Sequence, residues 1–165
     1  MALFKPTFAL RSVLEITPVS LKKHGIKALI LDVDNTLTTH NDPVPAEGVM
    51  EWIANMKKHR IKMLIVSNNS AERVIPFAKQ LKLRFVPNGA KPLPMGFDRA
   101  IKKLGLPKKE VCVVGDQIFT DILGANLAGI RSVFVSPIEP EKSIFFRAKR
   151  AVERPLLPKR FDRFE

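Results

Sequence analysis

Four aspartates stand where apolar runs give way to polar residues, and their spacing poses a chemical problem. Asp32 and Asp34 are two apart at the close of the run 27–33 (KALILDV), so strand alternation points both side chains the same way. Asp116 follows the run 111–114 and Gly115, with Asp121 five residues beyond. Carboxylates gathered in one place repel one another, and left unpaired their pKa values rise. A hard divalent cation relieves that repulsion, and an all-oxygen, partly hydrated site suits Mg²⁺. One aspartate in a loop ordinarily caps a turn; four at the ends of apolar runs exceed what capping needs.

Two further groups would complete a phosphate site. Ser67 closes the run 61–66 and opens Ser-Asn-Asn-Ser, where its hydroxyl, the Asn68 amide and backbone N–H groups are donors. Lys91, in Gly89-Ala90-Lys91-Pro92, supplies a positive charge. Alone, Ser67 reads as a turn residue and Lys91 as a solvated lysine. Their weight comes from falling at the same edge as the carboxylates.

That edge is defined by the elements. Residues 27–33, 61–66, 85–86, 111–114 and 131–135 read as five short buried strands. Between them, Val49, Trp52, Ile53 and Met56 form one helical stripe, and Phe97, Ala100, Ile101 and Leu104 form another that Gly105 ends. Ser70 opens a helix to about Leu81 with Pro76 inside it, and residues 118–128 form a helix stopped by Gly129. Thr17-Pro18 and Gly25 bracket a short helix at 17–25. Strands alternating with helices predict a three-layer, Rossmann-like α/β fold around a parallel sheet, with ligands outside the carboxyl ends of the strands. All the chemistry-bearing residues map to those ends.

The chain has 165 residues, the length of one domain, with its core at about 27–136. A basic segment, 1–26, precedes that core and a basic amphipathic tail, 143–165, comes after it. No apolar run approaches the ~18 residues that span a bilayer. No secretory leader is evident, and Cys112 reads as a reduced core thiol. A cytosol-facing protein, not secreted, is therefore expected. The net charge of +12 is uneven: residues 1–28 hold +4, residues 142–165 hold +5, and the 113 residues between hold +3. Basic ends fit a polyanionic surface, either anionic lipid or RNA. After Ser143, Ile144, Phe145, Ala148, Ala151 and Val152 share one arc of a helix and Arg147, Arg150 and Arg154 another. Such a helix lies on anionic lipid or packs its apolar arc on the domain.

The series Asp32-Val33-Asp34-Asn35-Thr36-Leu37, Ser67, Lys91 and Gly115-Asp116-Gln117-Ile118-Phe119-Thr120-Asp121 resembles the haloacid dehalogenase superfamily of phosphatases. Each element comes after its expected strand in the family's order. The resemblance implies that Asp32 is a phosphoryl-accepting nucleophile and Asp34 a general acid and base. It implies Mg²⁺ held by Asp32, the Asp34 backbone carbonyl and Asp116, with Asp121 beside them. Ser67, Asn68 and Lys91 would bind the phosphoryl group, with Thr36 supporting the loop. Only 35 positions separate Asp32 from Ser67, and 24 separate Ser67 from Lys91, so no cap domain fits.

Nearly the whole chain resembles the YqeG-like subfamily, through Ile16-Thr17-Pro18, Gly25-Ile26-Lys27, Val66-Ser67-Asn68-Asn69 and Gly115-Asp116-Gln117; Pro76 departs from that group. The subfamily is related to phosphatidylglycerophosphate phosphatases. It implies a phospholipid substrate and a place at the inner face of a membrane. Other phosphomonoesters, such as phosphoproteins and nucleotides, and an RNA-associated role are the alternatives.

Overall fold

The computed structural model describes residues 2–40 and 42–165; Met1 and Asn41 lie outside the described residues. Its centre is a six-stranded, wholly parallel sheet: β1 (Phe8–Leu10), β2 (Ala28–Leu31), β3 (Lys62–Val66), β4 (Arg84–Val86), β5 (Val111–Gly115) and β6 (Arg131–Val135), in the order β1-β6-β5-β2-β3-β4. Apolar patterning leads one to expect five strands; the sixth is β1. Three residues carry no legible period, and Phe8–Leu10 becomes a strand by pairing with Val133–Val135 of β6.

The strands are buried on both faces, as a covered parallel sheet requires. On one face Leu29, Leu31, Ile65 and Val114 meet α2 (Val49–Lys58) and α3 (Ala71–Leu81). On the other, Ile30, Leu64, Val66 and Val113 meet α4 (Met95–Leu104) and α5 (Leu123–Ala128). The stripes Val49/Trp52/Ile53/Met56 and Phe97/Ala100/Leu104 are the buried sides of α2 and α4. Before β2, α1 (Pro18–Lys23) starts with a reciprocal Thr17–Ser20 capping box and turns at Gly25, whose φ of +66° suits glycine. Trp52 ties this segment to α2 by donating its indole N–H to the Ile16 carbonyl at 2.8 Å. Pro76 stays inside α3. The expected helix at 118–128 divides into one π-helical turn, Ile118–Ile122, and α5. Cys112 is wholly buried, and burial pushes its thiol up to about 12, so it is a core residue with no ready thiolate.

From β2 the chain winds outward through β3 and β4, then crosses back to β5 on the other side of β2. This reversal opens the crevice where α/β sheets bind ligands. Among the described residues no cap domain interrupts the connections: residues 32–48 lead from β2 to α2, and four residues lead from β3 to α3.

Beyond β6, α6 (Ile144–Glu153) runs beside the carboxyl edge of the sheet. Its orientation runs against the packing of its apolar arc on the domain. Glu153 is buried, and Phe146, Lys149 and Arg150 are half-buried, whereas Ile144, Phe145, Ala148, Ala151 and Val152 all face outward. The charged side, not the apolar side, packs on the domain. No helix among the described residues is long and apolar enough to cross a membrane.

Candidate active site

β2 and β5 are paired, with Leu31 opposite Val114, so Asp32 and Asp116 emerge from neighbouring strand ends. Asp121 lies in the π-helical turn after β5. Such turns widen a helix by one residue and recur at functional sites. Carboxylate oxygens of Asp32, Asp116 and Asp121 all fall within 4.8 Å of one another. Gly115 makes this approach possible: a Cβ there would stand 2.3 Å from the Asp121 carboxyl carbon.

Two cations balance the cluster. The buried Lys91 ammonium donates to Asp32 Oδ1 at 2.6 Å and to Asp121 Oδ1 at 2.7 Å. The Arg150 guanidinium, reaching in from α6, pairs with the Asp116 carboxylate and donates to the Asp116 carbonyl at 2.7 Å. Its other partners are Glu141 at 3.1 Å and Glu153 at 3.3 Å. Thr36 places its hydroxyl 3.3 Å from both Asp32 Oδ2 and Asp116 Oδ1.

The electrostatics arise from burial among like charges. Burial first, then Asp121, push the Asp32 carboxyl up to about 6, although Lys91 acts against them. Burial also drives Asp116 well above the usual carboxylate range despite Arg150. Burial alone would depress Lys91, but Asp121 and Asp32 outweigh it and hold the ammonium above its ordinary value. Lys91 and Arg150 balance the three aspartates only in part, since Arg150 is shared with Glu141 and Glu153, and all the donor atoms the aspartates offer are hard oxygens. This donor set fits a divalent cation such as Mg²⁺, held by Asp32, Asp116 and Asp121.

The remaining expected residues lie around this centre. Asp34 is held at 2.7 Å by the Asn69 amide and at 2.7 Å by Arg73 of α3. Ser67 is buried at the end of β3, its hydroxyl accepting from the Asn69 N–H at 3.1 Å. Asn68 clamps the Lys91 backbone, accepting its N–H at 2.8 Å and donating to its carbonyl at 3.1 Å. The Asn68 side chain therefore positions the Lys91 loop. Gly96 lets α4 seat against the same loop, since a Cβ there would lie 2.2 Å from the Gly89 carbonyl oxygen.

Several participants go unmarked in the sequence. Asn69, just before the Ser70 N-cap, and Arg73, in the first turn of α3, hold Asp34 together, a pairing that only the fold makes meaningful. Asn35, at a φ of +58°, accepts from the Glu139 N–H at 3.3 Å and donates to Glu141 at 3.2 Å, tying the loop after β2 to the segment before α6. Arg150 lies 34 positions from Asp116, and on a wheel it is one arginine among three.

Topological reversal at β2, an uncapped carboxyl edge and a buried carboxylate cluster at that edge together define an α/β protein with an acidic centre whose oxygens suit a divalent cation. The chain belongs to the haloacid dehalogenase-like hydrolase family, whose model matches residues 8–135. It is similar to the probable phosphatase YqeG of Bacillus subtilis, with 37% identity over 154 residues, covering 93% of this chain and 90% of that protein. It is also similar to the mitochondrial phosphatidylglycerophosphatase GEP4 of Saccharomyces cerevisiae, with 33% identity over 128 residues and 67% of each chain covered. In fold it resembles the crystal structure of 4-nitrophenylphosphatase from Thermotoga maritima, with a TM-score of 0.63 at 14% identity, covering 87% of this chain and 94% of that one.

Proposed function

We propose that this hydrolase is a Mg²⁺-dependent phosphatase that works through an aspartyl-phosphate on Asp32 and takes phosphatidylglycerophosphate as its substrate at a membrane surface. The observation that carries the chemistry is the cluster itself: Asp32, Asp116 and Asp121 within 4.8 Å, with the Lys91 ammonium bridging Asp32 and Asp121. The likeness to a phosphatidylglycerophosphatase over 67% of the chain and the uncapped edge support the choice of substrate.

In this mechanism a carboxylate oxygen of Asp32 attacks phosphorus, and the bond from phosphorus to the glycerol oxygen breaks. Asp34 gives its proton to the departing alkoxide, exchanging its contacts with Asn69 and Arg73 for the substrate. Water then attacks the phosphorus, Asp34 takes its proton, and the bond to Asp32 breaks to release inorganic phosphate. Lys91 and the Ser67 hydroxyl bind phosphoryl oxygens, and Lys91 offsets charge as it spreads over them. Thr36 orients Asp32 and Asp116 through the hydroxyl between them. Mg²⁺ bound by Asp32, Asp116, Asp121 and the Asp34 carbonyl would neutralise the carboxylates and the phosphoryl oxygens together.

The test is phosphate release from phosphatidylglycerophosphate in mixed micelles, with Mg²⁺ or EDTA, beside Asp32→Asn and a panel of soluble monophosphates. Mg²⁺-dependent release that favours the lipid and falls by at least about a thousandfold in Asp32→Asn is expected. Appreciable turnover by that variant removes the covalent mechanism. Equal or better turnover of the soluble compounds keeps the chemistry and removes the lipid.

A further inference from the structure

The orientation of α6 is costly unless something covers it. Ile144 is 83% exposed, Phe145 73% and Val152 63%, and the intervening Ala148 and Ala151 also face solvent. An amphipathic helix left to itself turns such a face inward. Here the opposite face is committed: Arg150 is on Asp116 and Glu141, Lys149 donates to Gln117 at 2.7 Å, and buried Glu153 accepts from the Phe119 N–H at 2.9 Å. These charge-assisted contacts fix the rotation of the helix and hold its apolar side out.

The surroundings identify the occupant. Exposed Arg147 and Arg154 flank the apolar arc, and exposed Lys159 and Arg160 come after it. In a pairing with a second copy through this face, those arginines would meet their own kind. An anionic lipid surface instead takes the apolar arc among its acyl chains and the arginines among its headgroups. The position is also right for the chemistry. Phe146 stacks edge-on against His40 of the loop after β2, at 4.9 Å between centroids, and Arg150 touches a carboxylate of the metal cluster. Val44, in the same loop as His40, and Leu93, in the loop after β4, are 62% and 54% exposed, and both loops leave the carboxyl ends of strands.

We infer that α6 is an interfacial docking helix: Ile144, Phe145 and Val152 enter an anionic bilayer, and the helix thereby sets the carboxyl edge of the sheet against the headgroups. The choice of lipid over other surfaces rests partly on the proposed substrate. The test must therefore not depend on that substrate.

Full-length protein is floated with vesicles of phosphatidylcholine alone or mixed equally with phosphatidylglycerol, with no phosphatidylglycerophosphate present. Wild type is expected to bind the anionic vesicles, and more weakly as salt rises. Withdrawing each large apolar side chain reduces partitioning roughly tenfold, so the double variant Ile144→Asp with Phe145→Asp is expected to bind roughly a hundredfold more weakly. Its melting temperature should stay close to wild type, because Ile144 and Phe145 are largely exposed and Phe145 meets the Phe146 ring of its own helix at 5.6 Å between centroids. Arg147→Glu with Arg154→Glu should bind the two vesicle types alike. Wild type that ignores anionic vesicles, or a double variant that binds them equally well, overturns the docking role. A wild-type dimer in sedimentation that the double variant disperses assigns the face to a second copy and overturns it too. Failure of lipid turnover in micelles with vesicle binding intact would remove the substrate and keep the helix.

Discussion

At Asp32 burial and the neighbouring Asp121 raise the carboxyl to about 6 while Lys91 pulls it down, so the group proposed to attack phosphorus is uneasy as an anion without metal. Between the ordinary value of 3.8 and about 6, the folded state holds a proton that the unfolded state has lost. The stability this confers is full below that range and is lost as pH rises through it. A divalent cation on Asp32, Asp116 and Asp121 competes with the proton, so its effect grows in the opposite direction. At pH 5 Asp32 is protonated about ten times more often than not, which weakens metal affinity about tenfold through this group alone. Mg²⁺ should therefore raise the melting temperature more at pH 7.5 than at pH 5, the difference corresponding to about 1.4 kcal/mol. Differential scanning calorimetry with and without Mg²⁺ at the two pH values measures it. Equal gains would place the ion away from Asp32.

Elements differ in how much of their role the residues disclose. The acidic ends of β2 and β5 are readable because continuous apolar runs of four or five residues read as strands buried on both faces, and residues just beyond such a strand lie at the ligand-binding edge. The stripes of α2 and α4 are readable for the same reason of period. Phe8–Leu10 is too short for a period, and it takes β6 to make it a strand. The rotation of α6 is hidden for a different reason. Its wheel shows two arcs but not that Asp116, Glu141 and Gln117 await the polar one, and that outcome reverses the usual rule. Arg150 thus belongs to two things at once, the seating of α6 and the charge balance of the carboxylate cluster. Arg150→Met should leave the buried Asp116 and Glu153 carboxylates short of a cation, destabilising the metal-free protein by about 3–5 kcal/mol. Mg²⁺, which serves Asp116 in its stead, should recover more melting temperature in this variant than in wild type. A variant as stable as wild type without metal would show that Arg150 is a surface contact only.

Across the whole molecule the basic ends of the chain are fastened to each other. A parallel sheet has two open edges, each a template for unwanted pairing. At the β4 edge Lys103 reaches the Phe85 carbonyl at 3.4 Å. At the β1 edge the C-terminal segment closes the gap: the Asp162 N–H donates to the Ala9 carbonyl at 2.7 Å, and the Ala9 N–H donates to the Asp162 carboxylate at 2.7 Å. Phe164, 7% exposed, then packs on Phe8 and stacks on His24, with ring centroids 4.8 and 5.2 Å away. Residues near both ends therefore complete the sheet whose carboxyl edge carries the acidic centre. Removing the tail would confound lipid docking with folding, which is why point variants on α6 are the cleaner probe. Phe164→Ala opens a cavity beside the edge strand and should destabilise the protein by about 2–4 kcal/mol. For a domain of this size that lowers the melting temperature by roughly 5–12 °C. Asp162→Ala removes one anchor of the same segment and should lower it by less, and the double variant by less than the sum, because losing either anchor loosens the other. Vesicle binding per folded molecule should stay at the wild-type level in all three, since Ile144 and Phe145 are untouched. Thermal unfolding unaffected by Phe164→Ala would mean that the segment does not secure the sheet, and the basic tail would then be free to act at the lipid surface by itself.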